Sequence, residues 1–121
     1  MAASIVDVDD DLITIRVSGL FTYPELVNIR LQAASQLQHA GMIRCFVLVE
    51  DFKGWAKEGD WGENSFQAEN DEFIEKMAIV GDREWEDLVL FFSGRDQRRF
   101  PIQYFLPEAI DQARRWIAEP A

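Results

Sequence analysis

The sequence predicts an α/β domain in which a mixed, mostly parallel sheet of about five strands is flanked by about four helices. Three observations carry that reading. Short apolar runs, led by Cys45 to Val49, have the length of buried strands. Between them lie stretches whose apolar residues recur at helical spacing, and the resulting order, β-β-α-β-α-β-α-β-α, is that of parallel-sheet proteins. The first two strands, separated by Asp9 to Asp11, read as a hairpin that contributes one antiparallel strand.

Ser4 to Val8 alternates weakly. Leu12 to Val17 alternates clearly, with Ile13, Ile15 and Val17 on one side and Leu12, Thr14 and Arg16 on the other. Thr22-Tyr23-Pro24-Glu25 has the form of a capping box, with proline in the first turn where a missing N–H costs little. The helix that follows carries Leu26, Ile29, Ala33, Leu37 and Ala40 at helical spacing, and Gly41 stops it. A strand from Ile43 to Val49 ends where Glu50 and Asp51 change the chemistry. Next comes a loop, Phe52 to Trp61, with two glycines, two tryptophans and several charges, and Asp60 is placed to cap a helix from Trp61 to about Glu72. Met77 to Val80 reads as a buried strand ended by Gly81. Asp82 caps a helix over Arg83 to Ser93 whose inward stripe is Trp85, Leu88, Val89 and Phe92, with Gly94 marking its end. Pro101 to Phe105 is the last strand, its proline at the start where a donor is dispensable. Leu106-Pro107-Glu108 opens a final helix with Ile110, Ala113, Trp116 and Ile117 facing inward.

A chain of 121 residues, 48% hydrophobic, has the size and core content of one globular domain covering residues 1–121. Its formal net charge of −10 opposes nucleic-acid binding, where basic surface supplies most of the affinity. Cys45 is the only cysteine, so no intramolecular disulfide forms, and its place in an apolar strand marks it as a small buried hydrophobe. The acidic start MAASIVDVDDD lacks the pattern of a signal peptide, and no run of 18 apolar residues suggests a transmembrane segment. A soluble cytoplasmic protein is the expectation.

Few chemistries find their residues here. The sole histidine, His39, falls in the last turn of the first helix, where it complements the helix dipole and serves no hydrolytic triad. One His and one Cys cannot build a zinc site, and the carboxylates at Glu50, Asp51, Glu58, Asp60 and Glu63 do not follow a calcium-loop pattern. No phosphate-cradling glycine motif occurs. Neither metal nor cofactor is expected. Ligands of open α/β sheets sit beyond the carboxyl ends of parallel strands, which here are Glu50-Asp51 and Gly81-Asp82. Around those ends cluster Trp55, Trp61, Phe66 and Trp85. Trp55 stands out because it lies between glycine and charged residues on no periodic face. Arg95, Arg98 and Arg99 are the one basic cluster, suited to an anionic head group or a partner's carboxylates and giving at most weak membrane-surface contact.

VEDFKGW from Val49 to Trp55, IVGDREW from Ile79 to Trp85, and the pattern F-L-P-E-A-I-x-x-A-x-x-W-I from Phe105 to Ile117 resemble the SpoIIAA-like, or STAS-like, family of bacterial proteins over nearly the whole chain. The resemblance implies an α/β fold related to STAS domains and to CRAL-TRIO lipid-transfer domains, with no established enzymatic activity. STAS antagonists of anti-sigma factors carry a phosphorylatable serine after the central strand. The corresponding segment, Asp51 to Asn64, has no serine or threonine, and Ser65 is expected inside the next helix. Kinship with lipid-transfer domains directs attention to an apolar cavity under an aromatic lid. The expectation is therefore a non-enzymatic module for a small apolar or amphipathic ligand, with a STAS-type interaction module as the alternative. Many small α/β domains form two-fold dimers, so a homodimer is also considered, although the sequence identifies no patch for it.

Overall fold

The computed structural model describes residues 3–62, 65–95 and 97–119. Its strands β1 (Ala3–Asp9), β2 (Leu12–Phe21), β3 (Ile43–Trp55), β4 (Ile74–Val80) and β5 (Ile102–Phe105) lie in chain order across one sheet. β1 runs antiparallel to β2, and the other neighbours are parallel. The helices among the described residues are α1 (Tyr23–Ala40), α2 (Ser65–Asn70), α3 (Glu86–Ser93) and α4 (Ile110–Ala118).

Strand order decides where the helices lie. Parallel crossovers that step across a sheet in one direction, all of the same hand, fall on one face. α1 and α3 accordingly share a core with Ile13, Ile15, Val17, Cys45, Val49 and Ile79. α4 follows the last strand and closes no crossover. It covers the opposite face, where Ala113 and Ile117 pack on Phe46, Ala78, Val80 and Phe105. Alternation along β3 feeds both layers, with Cys45 and Val49 turned one way and Phe46 the other. Polar ties fix α4 in place: buried Lys76 donates to the Trp116 carbonyl at 2.7 Å, and Arg44 reaches the Ile117 carbonyl at 2.8 Å and Glu75 at 2.7 Å.

The capping box forms as the sequence predicts. Thr22 N–H donates to Glu25 Oε1 at 2.9 Å, and the other carboxylate oxygen accepts the Ala3 N–H at 3.0 Å, so one side chain both starts α1 and anchors β1. Gly41, at φ 84°, closes the helix by donating to the Leu37 carbonyl at 2.8 Å.

Four details depart from the sequence reading. β3 does not end at Val49 but runs on to Trp55, because β2 also continues to Phe21 and the two stay paired through register shifts after Ser18 and Gly19. Asp51 turns to φ 49° there, which breaks the alternation that a pattern search follows. Second, no helix begins at Trp61. Trp61 and Gly62 lie in a turn, so Asp60 does not cap the helix, which among the described residues spans Ser65–Asn70. Glu63, named among the acidic residues, lies outside the described residues. Third, the segment after Asp82 opens as a 3-10 turn, Arg83–Trp85, before α3 begins at Glu86. The tighter turn shifts the helical phase, so Leu90 is buried and Leu88 is exposed. Finally, the arginine cluster does not act as one: Arg95 and Arg99 are exposed, whereas Arg98 is drawn inside.

Candidate functional site

Between the α1/α3 face of the sheet and the aromatic segment after β3 lies a cavity of about 180 Å³. Its floor is β-sheet, with Val17, Cys45, Val47, Val49, Met77 and Ile79 contributing alternate side chains. Ile29 and Ala33 of α1 form one wall, Val89 and Phe92 of α3 another, and Trp55, Trp61 and Phe66 complete the lining. Arg30, Gln67, Ser93 and Arg98 are the polar residues that reach it.

Extension of β3 is what creates this arrangement. The bulge turns Phe52 inward, buries Gly54 and delivers Trp55 to the cavity rim. Gly54 takes φ 94°, and a Cβ added there would touch the Trp85 ring at 3.6 Å, so the strand passes close beneath that side chain. Trp55 meets Phe52 edge-on at 5.0 Å between centroids and lies 5.1 Å from Phe92. Trp61 fits between Phe21, Tyr23 and Phe92 at 5.5 to 5.6 Å. Its indole N–H donates to the Ala56 carbonyl at 3.0 Å, which ties the turn back on itself. Trp55 Nε1 is buried with no acceptor.

Arg98 occupies one end of the cavity as half of a buried ion pair. Its Nε and Nη2 donate to the two oxygens of Asp71 at 2.6 Å each, a third N–H reaches the Ser93 carbonyl at 3.0 Å, and the guanidinium lies over the Phe100 ring at 4.7 Å. Bidentate pairing is the strong geometry for these two groups, and it holds Arg98 to Asp71 within the domain, apart from the exposed Arg95 and Arg99. Nearby, burial pushes the Cys45 thiol up to about 12, against a smaller opposing pull from Arg98. At neutral pH the cavity floor thus presents a neutral thiol, which behaves as a small apolar group.

The structure brings some of the predicted site residues together and leaves others out. Trp55, Trp61 and Phe66 line the cavity, while Trp85 stands behind it, 4.8 Å from Phe52. Glu50 and Asp51 are exposed and do not line the cavity, and Glu50 lies 3.8 Å from Arg16. Gly81 and Asp82 serve the turn after β4. A Cβ at Gly81 would overlap Tyr104 Oη and crowd Val49 Cβ at 3.2 Å, and that hydroxyl donates to the Asp82 carbonyl at 2.7 Å. Among the described residues no group of three metal-ligating side chains converges, and no helix is long and apolar enough to cross a membrane.

Sequence reasoning missed Phe21, Phe92 and the Asp71–Arg98 pair as parts of the site. Phe92 was assigned to the inward face without a role, and Phe21 lay beyond the predicted strand end. The ion pair joins residues 27 positions apart, a separation that no local pattern encodes.

The SpoIIAA-like family model matches residues 12–118. Among solved structures, the fold is similar to that of an uncharacterised protein from Shewanella loihica PV-4 with a SpoIIAA-like fold. The TM-score is 0.68 over 97% of this chain and 93% of that one, at 17% identity, a likeness of fold alone. No curated protein matches the sequence.

Proposed function

The chain belongs to the SpoIIAA-like family, and we propose on that premise that it is a non-enzymatic cytoplasmic module that holds a small apolar or amphipathic ligand beneath Trp55, Trp61 and Phe66. The fold itself points to a STAS-type module. One observation supports the ligand reading: a mostly apolar cavity of about 180 Å³ inside the domain. Native cores are packed like organic crystals, and a void of this size forgoes dispersion contacts throughout its lining. An apolar cavity of about 150 Å³ stays dry and accepts benzene. Sites for drug-sized ligands span about 300–1,000 Å³. A cavity of this volume therefore suits one ring or a short aliphatic chain, and a full lipid tail requires the aromatic segment to move.

Native mass spectrometry tests this, first on protein purified from cells and then after incubation with benzene, octanoate or palmitate. Retention of one small ligand, or uptake of one benzene or octanoate, is the expected result. A clean apo mass under every condition refutes the reading.

A second reading, a STAS-type protein-interaction module without the phosphorylatable serine, is favoured by the exposed apolar pair Leu88 and Phe91 on α3. Phe91→Asp separates the two: it abolishes partner binding under the second reading and leaves ligand uptake intact under the first, because Phe91 does not line the cavity.

A further inference from the structure

We propose that α3 pairs antiparallel with α3 of a second copy, across a two-fold axis between Leu88 and Phe91, to form a homodimer beside the mouth of the cavity. The proposal holds whether or not the cavity takes a ligand.

The starting observation is exposure. Phe91 is 87% exposed and Leu88 53%, and a spacing of three residues puts them on one face of the helix. Beside them lies a surface hollow bounded by Trp55, Trp61, Gly62 and Phe92 as well as by the pair itself. Knob and hollow therefore occupy the same surface. A two-fold contact uses both at once, because each copy's Phe91 enters the other's hollow; such an isologous interface closes on itself.

Charge favours the antiparallel orientation. In a two-fold antiparallel pairing with Leu88 facing the partner's Phe91, the axis passes between Val89 and Leu90. Glu84 lies in the 3-10 turn before α3 and Arg95 just past its Gly94 cap, and both are exposed, so antiparallel pairing brings the Glu84 end of each segment to the Arg95 end of the other. Acidic residues at the start of the segment thus meet a basic residue just past its end, twice per dimer. Parallel pairing would instead set Glu84 against Glu84 and Asp87 against Asp87. An anionic membrane is a poor alternative occupant, because Glu84 and Asp87 flank the patch on a chain of net charge −10. The net charges of two copies do repel, but they are screened over about 8 Å at physiological salt, whereas apposed Glu–Arg pairs act at contact. Trp55, Trp61 and Phe92 line both the hollow and the cavity, so a docked copy would rest on the aromatic side of the ligand site.

Sedimentation equilibrium of the full chain, from about 1 µM to about 500 µM, brackets the affinities of modest interfaces. Wild type is expected to shift from monomer to dimer within that range. Phe91→Asp should weaken the dimer at least about a hundred-fold, since each dimer loses the residue twice, and its thermal melt should match wild type because the side chain lies outside the core. Glu84→Arg and Arg95→Glu should each weaken association, and the double reversal should restore it. A wild type that stays monomeric throughout overturns the proposal, including one that binds phosphatidylcholine vesicles through Phe91. So does a dimer indifferent to Phe91→Asp, and so does failure of the double reversal to rescue.

Discussion

Filling the cavity tests whether its volume is real and whether it is where ligand goes. Ala33 is buried in the α1 wall at 6% exposure and lines the cavity. Ala33→Leu adds three carbons aimed at the void, and both residues are strong helix formers, so α1 itself is little changed. At about 0.8 kcal/mol per buried methylene the ceiling is roughly 2.4 kcal/mol. Rotamer strain of about 0.5–1.5 kcal/mol reduces that to a net gain of about 1–2 kcal/mol. For a chain of this length that is roughly 4–8 °C in Tm. Urea denaturation gives the free energy, and mass spectrometry with benzene on the same variant gives occupancy. Stabilisation together with lost uptake is the expected outcome. A loss of about 1–3 kcal/mol, the usual result of overpacking, would show that α1 and the sheet already meet. Stabilisation with uptake unchanged would place the ligand elsewhere.

Three further predictions follow from contacts around the site. Asp71→Asn should cost about 3–5 kcal/mol in urea melts, because it leaves the buried Arg98 guanidinium without its counter-charge; Asp71→Leu with Arg98→Met should recover most of that loss. Gly81→Ala should cost about 1–3 kcal/mol, because its methyl overlaps Tyr104 Oη, and the penalty should shrink in a Tyr104→Phe background, a coupling that a double-mutant cycle reads directly. Burial raises the Cys45 thiol to about 12 from an ordinary value of 9.0, so the folded chain keeps a proton that the unfolded chain loses; stability is intact below about pH 9 and falls from there toward pH 12. Tyr104, raised to about 12 by burial with Glu86 and Asp82 adding to it, acts in the same direction above pH 10. Cys45→Ala should flatten the pH dependence of urea stability between pH 9 and 10, and an unchanged slope would refute the assignment.

Features encoded within a turn or two were legible in the sequence. The capping box at Thr22 and Glu25 specifies its own hydrogen bonds, and the unbroken apolar run Cys45 to Val49 reads as the buried strand that it forms. Where backbone geometry changed between residues, the pattern misled. The bulge at Asp51 restarted the alternation of β3 out of phase, so a strand that continues to Trp55 read as a loop. The 3-10 turn at Arg83–Trp85 likewise moved the inward face of α3 from Leu88 to Leu90, and the exposed patch on α3 follows from that phase shift. The Asp71–Arg98 pair was invisible for a different reason, since it depends on the docking of two segments that flank β4 and its following helix.

The two tryptophans of the cavity rim are held by unequal balances. Trp61 combines contacts to three aromatic rings with a paired indole N–H, so packing and hydrogen bonding favour the same position. Trp55 also meets three rings, Phe52, Trp85 and Phe92, and aromatic pairs contribute about 0.5–1.5 kcal/mol each beyond their area. Its buried N–H has no acceptor, which costs about 1–3 kcal/mol. That cost cancels much of what the ring contacts add beyond area burial, whereas nothing comparable opposes Trp61. Of the two tryptophans, Trp55 is therefore the one whose displacement costs less, because leaving its place lets water satisfy the donor that burial leaves unpaired. That asymmetry gives the strand extension its functional sense: β3 carries paired strand up to the cavity and ends on the tryptophan better able to yield.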